Sequence, residues 1–112
     1  PDYYDIIATG DLGKIGKKMT LEMLKEYGYD LSKNYVDCGD IIFDNETQNT
    51  CSGGSGCGCS AVVMCGYFYK RLMKKEIKKL LLISTGALMS PTSTLQGESI
   101  PGIAHAVAIE CE

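Results

Sequence analysis

The chain has 112 residues, 45% of them apolar, and a net charge of −3 from 11 basic and 14 acidic side chains. That is the length of one domain or part of one, with an ordinary globular composition. It excludes the basic field that nucleic acid needs, and no apolar run approaches the roughly 20 residues of a membrane-spanning helix.

Asp5 to Thr9, DIIAT, is a short apolar run closed by Gly10 and reads as a buried strand. Asp11 and Gly13 turn the chain into a helix over Lys14 to Tyr27. Ile15, Met19, Met23 and Tyr27 recur every fourth residue with Leu24 beside them, so this stripe is expected to face the core. Lys17, Lys18, Lys25 and Glu26 are expected on the wet side, and Gly28 at the C-terminal stop. Tyr35 to Phe43, YVDCGDIIF, contains a weaker strand interrupted by Asp37, Gly39 and Asp40, and Asp44 to Thr50 is polar loop.

Thr50 to Tyr69, TCSGGSGCGCSAVVMCGYFY, is the centre of the chain. Gly53, Gly54, Gly56 and Gly58 allow backbone approaches that a Cβ forbids, and they lead straight into an apolar segment. Cys59 to Tyr69 holds no charge and no proline. A helix over Gly58 to Lys74, buried on nearly every side, is predicted, with Lys70, Arg71, Lys74 and Lys75 where it surfaces.

Lys79 to Thr85, KLLLIST, is a strand apolar on both faces. Gly86 to Ser99 reads as a long loop containing Pro91, and Pro101 to Glu110 as the last strand. In that strand Ile103, His105, Val107 and Ile109 share one face. Ala104, Ala106 and Ala108 share the other, and the predicted central helix is expected against these alanines. The alternation implies parallel strands with helical crossovers, and the final pair is free to run antiparallel.

Several chemistries can be weighed. Gly56-x-Gly58-x-x-Ala61 has the form of a dinucleotide fingerprint, but polar loop separates it from the preceding strand and no acid ends the next one. No Gly-Lys-Ser/Thr occurs, which excludes a Walker A loop. The six cysteines, at 38, 51, 57, 59, 65 and 111, form no C-x-x-C pair and have a single histidine for company, so reduced structural cysteines are expected and no metal site. His105, alone in mid-strand, reads as structural. Cys57 is the best-placed nucleophile, at a helix mouth, but no base is identifiable and packing is its expected role. The glycine loop aims amides at the mouth of a helix, where it either binds a carboxylate or lets the helix pack tightly; both readings stand.

Together, YYDIIATGDLGKIG, VDCGDIIFD, SGGSGCGCSA, TGALMSPTS and QGESIPGIAHAVAIE resemble the C-terminal part of the stage V sporulation AD family, which is thiolase-like. The resemblance covers essentially all 112 residues, and family members are about three times as long; a start at Pro1 rather than Met suits a piece of such a protein. It implies an α/β fold, residues 1–112 being the C-terminal subdomain. The implied sheet is mixed and five-stranded, in order 3-2-1-4-5, with the last strand antiparallel and a central buried helix. The first strand here matches strand 2 of that half, so strand 1 is missing. The resulting gap should be closed by direct pairing of strands 2 and 4, by another chain, or by rearrangement.

Thiolase-like condensing enzymes carry a His after that second strand and an Asn or His before the central helix. Here those places read Gly10-Asp11-Leu12-Gly13 and Gly53 to Ser60, without either. No catalytic residue is therefore assigned and no cofactor expected. The resemblance implies a non-catalytic protein that binds dipicolinic acid, a small dianion, and supports its uptake into the developing spore. The ligand-binding residues expected here are Gly10, Asp11, Leu12, Gly53, Gly54, Ser55, Gly56 and Cys57. Implied partners are other proteins of the dipicolinate-uptake system and further copies in a homo-oligomer. The implied place is the cytosolic side of the developing spore, peripheral to its inner membrane through partners alone. The competing functions are an acyltransferase acting on acyl-coenzyme A thioesters and a structural dimerisation or docking module.

Overall fold

A computed structural model describes residues 1–84, 86, 90–100 and 102–112. Four strands form one mixed sheet: β1 (Ile6–Thr9), β2 (Tyr35–Asp37), β3 (Lys79–Ile83) and β4 (Ala106–Glu110), in the order β2-β1-β3-β4. β1 runs parallel to both β2 and β3, and β4 pairs antiparallel with β3. This is the α/β architecture with an antiparallel last strand that the sequence predicts, and its four strands are those left when the first of the implied five is missing. The expected gap is closed by the first of the three routes, since Ile6 to Thr9 pair directly with Leu80 to Ile83.

Alternation along β1 divides the interior into two layers. Ile6 and Ala8 join Cys38, Cys59, Val63, Phe68, Leu72, Ile77 and Leu80 on one face of the sheet. Ile7 joins Leu31 and Tyr35 on the other, with Leu21, Leu24, Leu81 and Ile83 against them.

Helix α1 (Gly13–Glu26) lies on the second face, and Gly28, at φ +85°, follows its end as expected. Its orientation is not the one expected. Leu21 and Leu24 pack inward. Ile15, Met19, Met23 and Tyr27 are 66%, 57%, 57% and 75% exposed. The physical reason is the burial of Leu21 and Leu24 against the sheet, with Lys17, expected on the wet side, reaching the Asp40 carboxylate at 2.9 Å. An ion pair on one flank and two leucines on another outweigh a regular stripe.

After β2 the chain turns at once into a one-turn helix, α2 (Cys38–Ile41), capped by the Asp37 side chain. The central helix, α3, consists of Cys59–Val63, a π-helical turn at Met64–Phe68, and Tyr69–Met73. Its buried residues are Cys59, Val63, Phe68 and Leu72. The five-residue step from Val63 to Phe68 is the π turn, which adds a residue and brings the second half of the stripe back onto the sheet.

The expectation that α3 is buried on nearly every side is corrected: Val62, Tyr67, Tyr69 and Met73 are exposed. One sheet face and the short α2, whose Cys38 and the following Ile42 pack with Cys59 and Val63, cover only part of the helix. The alanine face of β4 is corrected too. Ala106 and Ala108 are exposed, and it is Ile109, on the opposite face, that packs into the α3 layer. The predicted last strand begins only at Ala106, with Pro101 outside the described residues, and Thr85 at the end of KLLLIST lies outside them as well. The long loop contains a helical turn, α4 (Pro91–Leu95), started by the Ser90 side chain accepting from Ser93 N.

Candidate functional site

Three loops meet at the C-terminal ends of β1 and β2: residues 10–13, the β2–α2 corner, and the glycine loop. Their meeting point is Asp37, fully buried at the end of β2. One carboxylate oxygen accepts from Thr9 Oγ1 at 2.6 Å and from Leu12 N at 3.1 Å. The other accepts from Gly13 N at 2.8 Å and Asp40 N at 3.2 Å. Tyr35 Oη lies 2.8 Å from Thr9 Oγ1. The Thr9 proton goes to Asp37, so the tyrosine is the donor in that pair. Four donors on one carboxylate leave it satisfied without a cation.

The glycine loop packs onto this corner by backbone contact. Gly54 N donates to the Gly39 carbonyl at 2.7 Å, and Lys14 N to the Ser52 carbonyl at 2.7 Å. A Cβ on Gly53 would strike the Gly39 carbonyl, and one on Gly39 would strike that of Gly54. These two glycines are there because backbone meets backbone. Tight packing, one of the two readings of the loop, is thus realised at Gly39, Gly53 and Gly54.

The rest of the loop faces Asp11. Gly56 N donates to Asp11 Oδ2 at 2.8 Å and Ser55 Oγ to the same oxygen at 3.0 Å. Of the predicted residues, the structure joins Asp11, Ser55 and Gly56 directly, while Leu12, Gly53 and Gly54 belong to the corner held by Asp37 and Gly39. Gly10 is buried at the end of β1, and Cys57 is exposed at the start of α3. No described residues form a group of three or more His, Cys, Asp or Glu that could hold a metal ion.

The local field is negative. Burial, followed by Asp37, Cys59 and Asp11, pushes the Cys38 thiol up to about 12. Burial, then Asp11 and Asp37, also raises Cys59. Both thiols are core groups and poor nucleophiles. An apolar cavity of about 300 Å³ lies beside the site, lined by Ile41, Ile42, Val62, Val63, Gly66 and Tyr67, with no charged side chain among them.

Asp37 was missed in the sequence because an acid after a short strand reads as an interruption. Its signal was the Asp37-x-x-Asp40 spacing of a helix cap, hidden by the brevity of α2.

The family model for stage V sporulation protein AD matches residues 1–110. The chain belongs to that family. It is 43% identical over 109 residues to stage V sporulation protein AD of Bacillus subtilis (strain 168), covering 97% of this chain and 32% of that protein. The chain therefore spans about a third of the length of that curated relative. Membership in the stage V sporulation AD family makes this the chain of a sporulation protein. No helix among the described residues is long and apolar enough to cross a membrane.

Proposed function

We propose that the chain is part of a non-catalytic, thiolase-like protein that binds dipicolinic acid and supports its uptake into the developing spore. The reading concerns the whole protein, at the cytosolic side of the spore membrane and in company with other uptake proteins. Membership in the stage V sporulation AD family supports the spore setting.

The observation that carries the reading is the place of Asp11. Where the resemblance to condensing enzymes calls for an imidazole, the chain presents a carboxylate held by Gly56 N and Ser55 Oγ. An ionised carboxylate has no proton to donate to a thioester oxyanion and repels its developing charge. The same contact supports ligand binding. It is a carboxylate seated on an amide and a hydroxyl at the mouth of α3, the seat that one carboxylate of a small dianion would occupy. Binding is then an exchange in which the ligand displaces the Asp11 side chain and the corner held by Asp37 stays fixed.

Calorimetric titration with dipicolinate tests this. Asp11→Ala removes the internal competitor and a like charge, and should bind about tenfold tighter than the unaltered chain, a difference of about 1.4 kcal/mol. Weaker binding by Asp11→Ala would make Asp11 a ligand contact instead. The absence of saturable binding in both would move the pocket to the remainder of the protein.

A further inference from the structure

The apolar cavity beside the site has two walls. Ile41 and Ile42, at the end of α2, form one, and Val62, Val63, Gly66 and Tyr67 of α3 form the other. The first wall is fixed from behind, because Gly54 lies so close to Ile42 and Phe43 that a Cβ there would strike both. The second is anchored by Val63, which is buried in the core.

The second wall also holds the irregular part of α3. Gly66 and Tyr67 both lie in the π turn, and such turns are frequent at functional sites. Glycine weakens a helix relative to alanine. Nothing among the described residues requires it at 66: its φ is not left-handed, and a Cβ built there meets no atom within 4 Å. Its effect is to leave that part of the wall as bare backbone.

The chemistry of the lining selects the ligand. None of the lining side chains is charged, so an anion would leave water with nothing to meet it. Arg71, 5.4 Å from the centre of the Tyr67 ring, is already paired with Glu76 Oε2 at 3.3 Å. The Tyr67 ring beside aliphatic side chains offers a face to another ring. Tyr67 Oη accepts from Arg71 Nη1 at 3.3 Å, which leaves the phenol proton for an acceptor on the ligand. A volume of about 300 Å³ is at the lower end for small-molecule pockets and suits a single ring.

We propose that the cavity binds an uncharged molecule with one aromatic ring and a hydrogen-bond acceptor. The ring packs between Ile42, Val62 and Tyr67, and the acceptor meets the Tyr67 hydroxyl. This site takes a neutral ligand where the seat at Ser55 and Gly56 takes a dianion, and it stands independently of that seat.

Acetophenone is the probe, followed through the methyl resonances of Ile41, Ile42, Val62 and Val63 in NMR spectra of the chain. These should shift saturably, with half-saturation at about 1 mM or below. Benzoate, which adds a charge, should bind about tenfold more weakly or worse. Tyr67→Phe keeps the ring and removes the hydroxyl. It should weaken acetophenone about fivefold and leave ethylbenzene, which has no acceptor, unchanged. Gly66→Leu sets a side chain on the open wall and should weaken both neutral probes about tenfold or more, with an unfolding midpoint no lower than the parent's. The absence of a saturable shift at those methyls overturns the proposal and leaves the wall to a polypeptide partner. Benzoate binding as tightly as acetophenone overturns it as well. So does a folded Gly66→Leu or Tyr67→Phe chain that binds acetophenone like the parent.

Discussion

A single buried acid holds the candidate site in shape. Asp37 accepts from one hydroxyl and three amides that belong to β1, the following turn and α2. Asp37→Asn keeps the shape but can turn an NH2 group toward the amides of Gly13 and Asp40. Each buried donor left without an acceptor costs about 1–3 kcal/mol. We expect a loss of about 3 kcal/mol in a urea unfolding curve. A loss below about 1 kcal/mol would mean that water or a relaxed backbone replaces the lost acceptor. Beyond the cap spacing to Asp40, nothing in the sequence marks Asp37 as buried, because its other partners come from residues 9 to 13 and only the fold brings them near.

At the scale of the element, the two long helices were legible in extent but not in facing, while the single turns α2 and α4 fell in a stretch read as containing a strand and in one read as loop. α1 begins and ends within a residue of its predicted bounds, and α3 lies inside its own. The stripe Ile15, Met19, Met23 and Tyr27 has the better periodicity, yet Leu21 and Leu24 face the sheet. Periodicity counts apolar residues without knowing how many sides will be covered. It also assumes 3.6 residues per turn, so the π turn that carries Phe68 inward could not be anticipated. For α3 the exposed face has a measurable consequence. Val62→Ser and Met73→Gln should each change the stability of this chain by less than about 0.5 kcal/mol, as exposed positions do. Core positions such as Phe68 cost several times more on truncation, about 3–5 kcal/mol. Losses of about 2 kcal/mol at Val62 or Met73 would mean that the helix is covered in solution.

Across the whole molecule, the N-terminal segment is tied to the start of β3, more than 70 residues away. Asp5 accepts from the amides of Lys78 and Lys79 at 2.7 and 2.9 Å. Those bonds, Lys78 first, hold its carboxyl below the usual aspartate range. A depressed value in the folded state stabilises the fold above the unfolded value and loses that contribution as the pH falls through the folded one. Asp5→Asn should therefore be less stable than the parent near neutrality, and the gap should close below about pH 4. Asp5 is exposed, so solvent screening keeps the effect small. Urea midpoints between about pH 2 and 7 would show it, and a gap independent of pH would assign the loss to geometry instead.

The sheet order was legible in the sequence once the family resemblance supplied it, and the way its gap is closed was one of three open routes. The direct pairing of β1 with β3 has a consequence in time. Its partners, Ile6 with Leu80 through Thr9 with Ile83, are separated by most of the chain. Contacts of such long range must overcome a large loop-closure entropy before they are rewarded, and they slow folding. During synthesis, at about 5–20 residues per second, β1 emerges seconds before β3 exists. Until then only β2 and the layer of Leu31 and Tyr35 can cover it, the edge awaiting β3 stays open, and this is the interval in which a chaperone would find the nascent polypeptide.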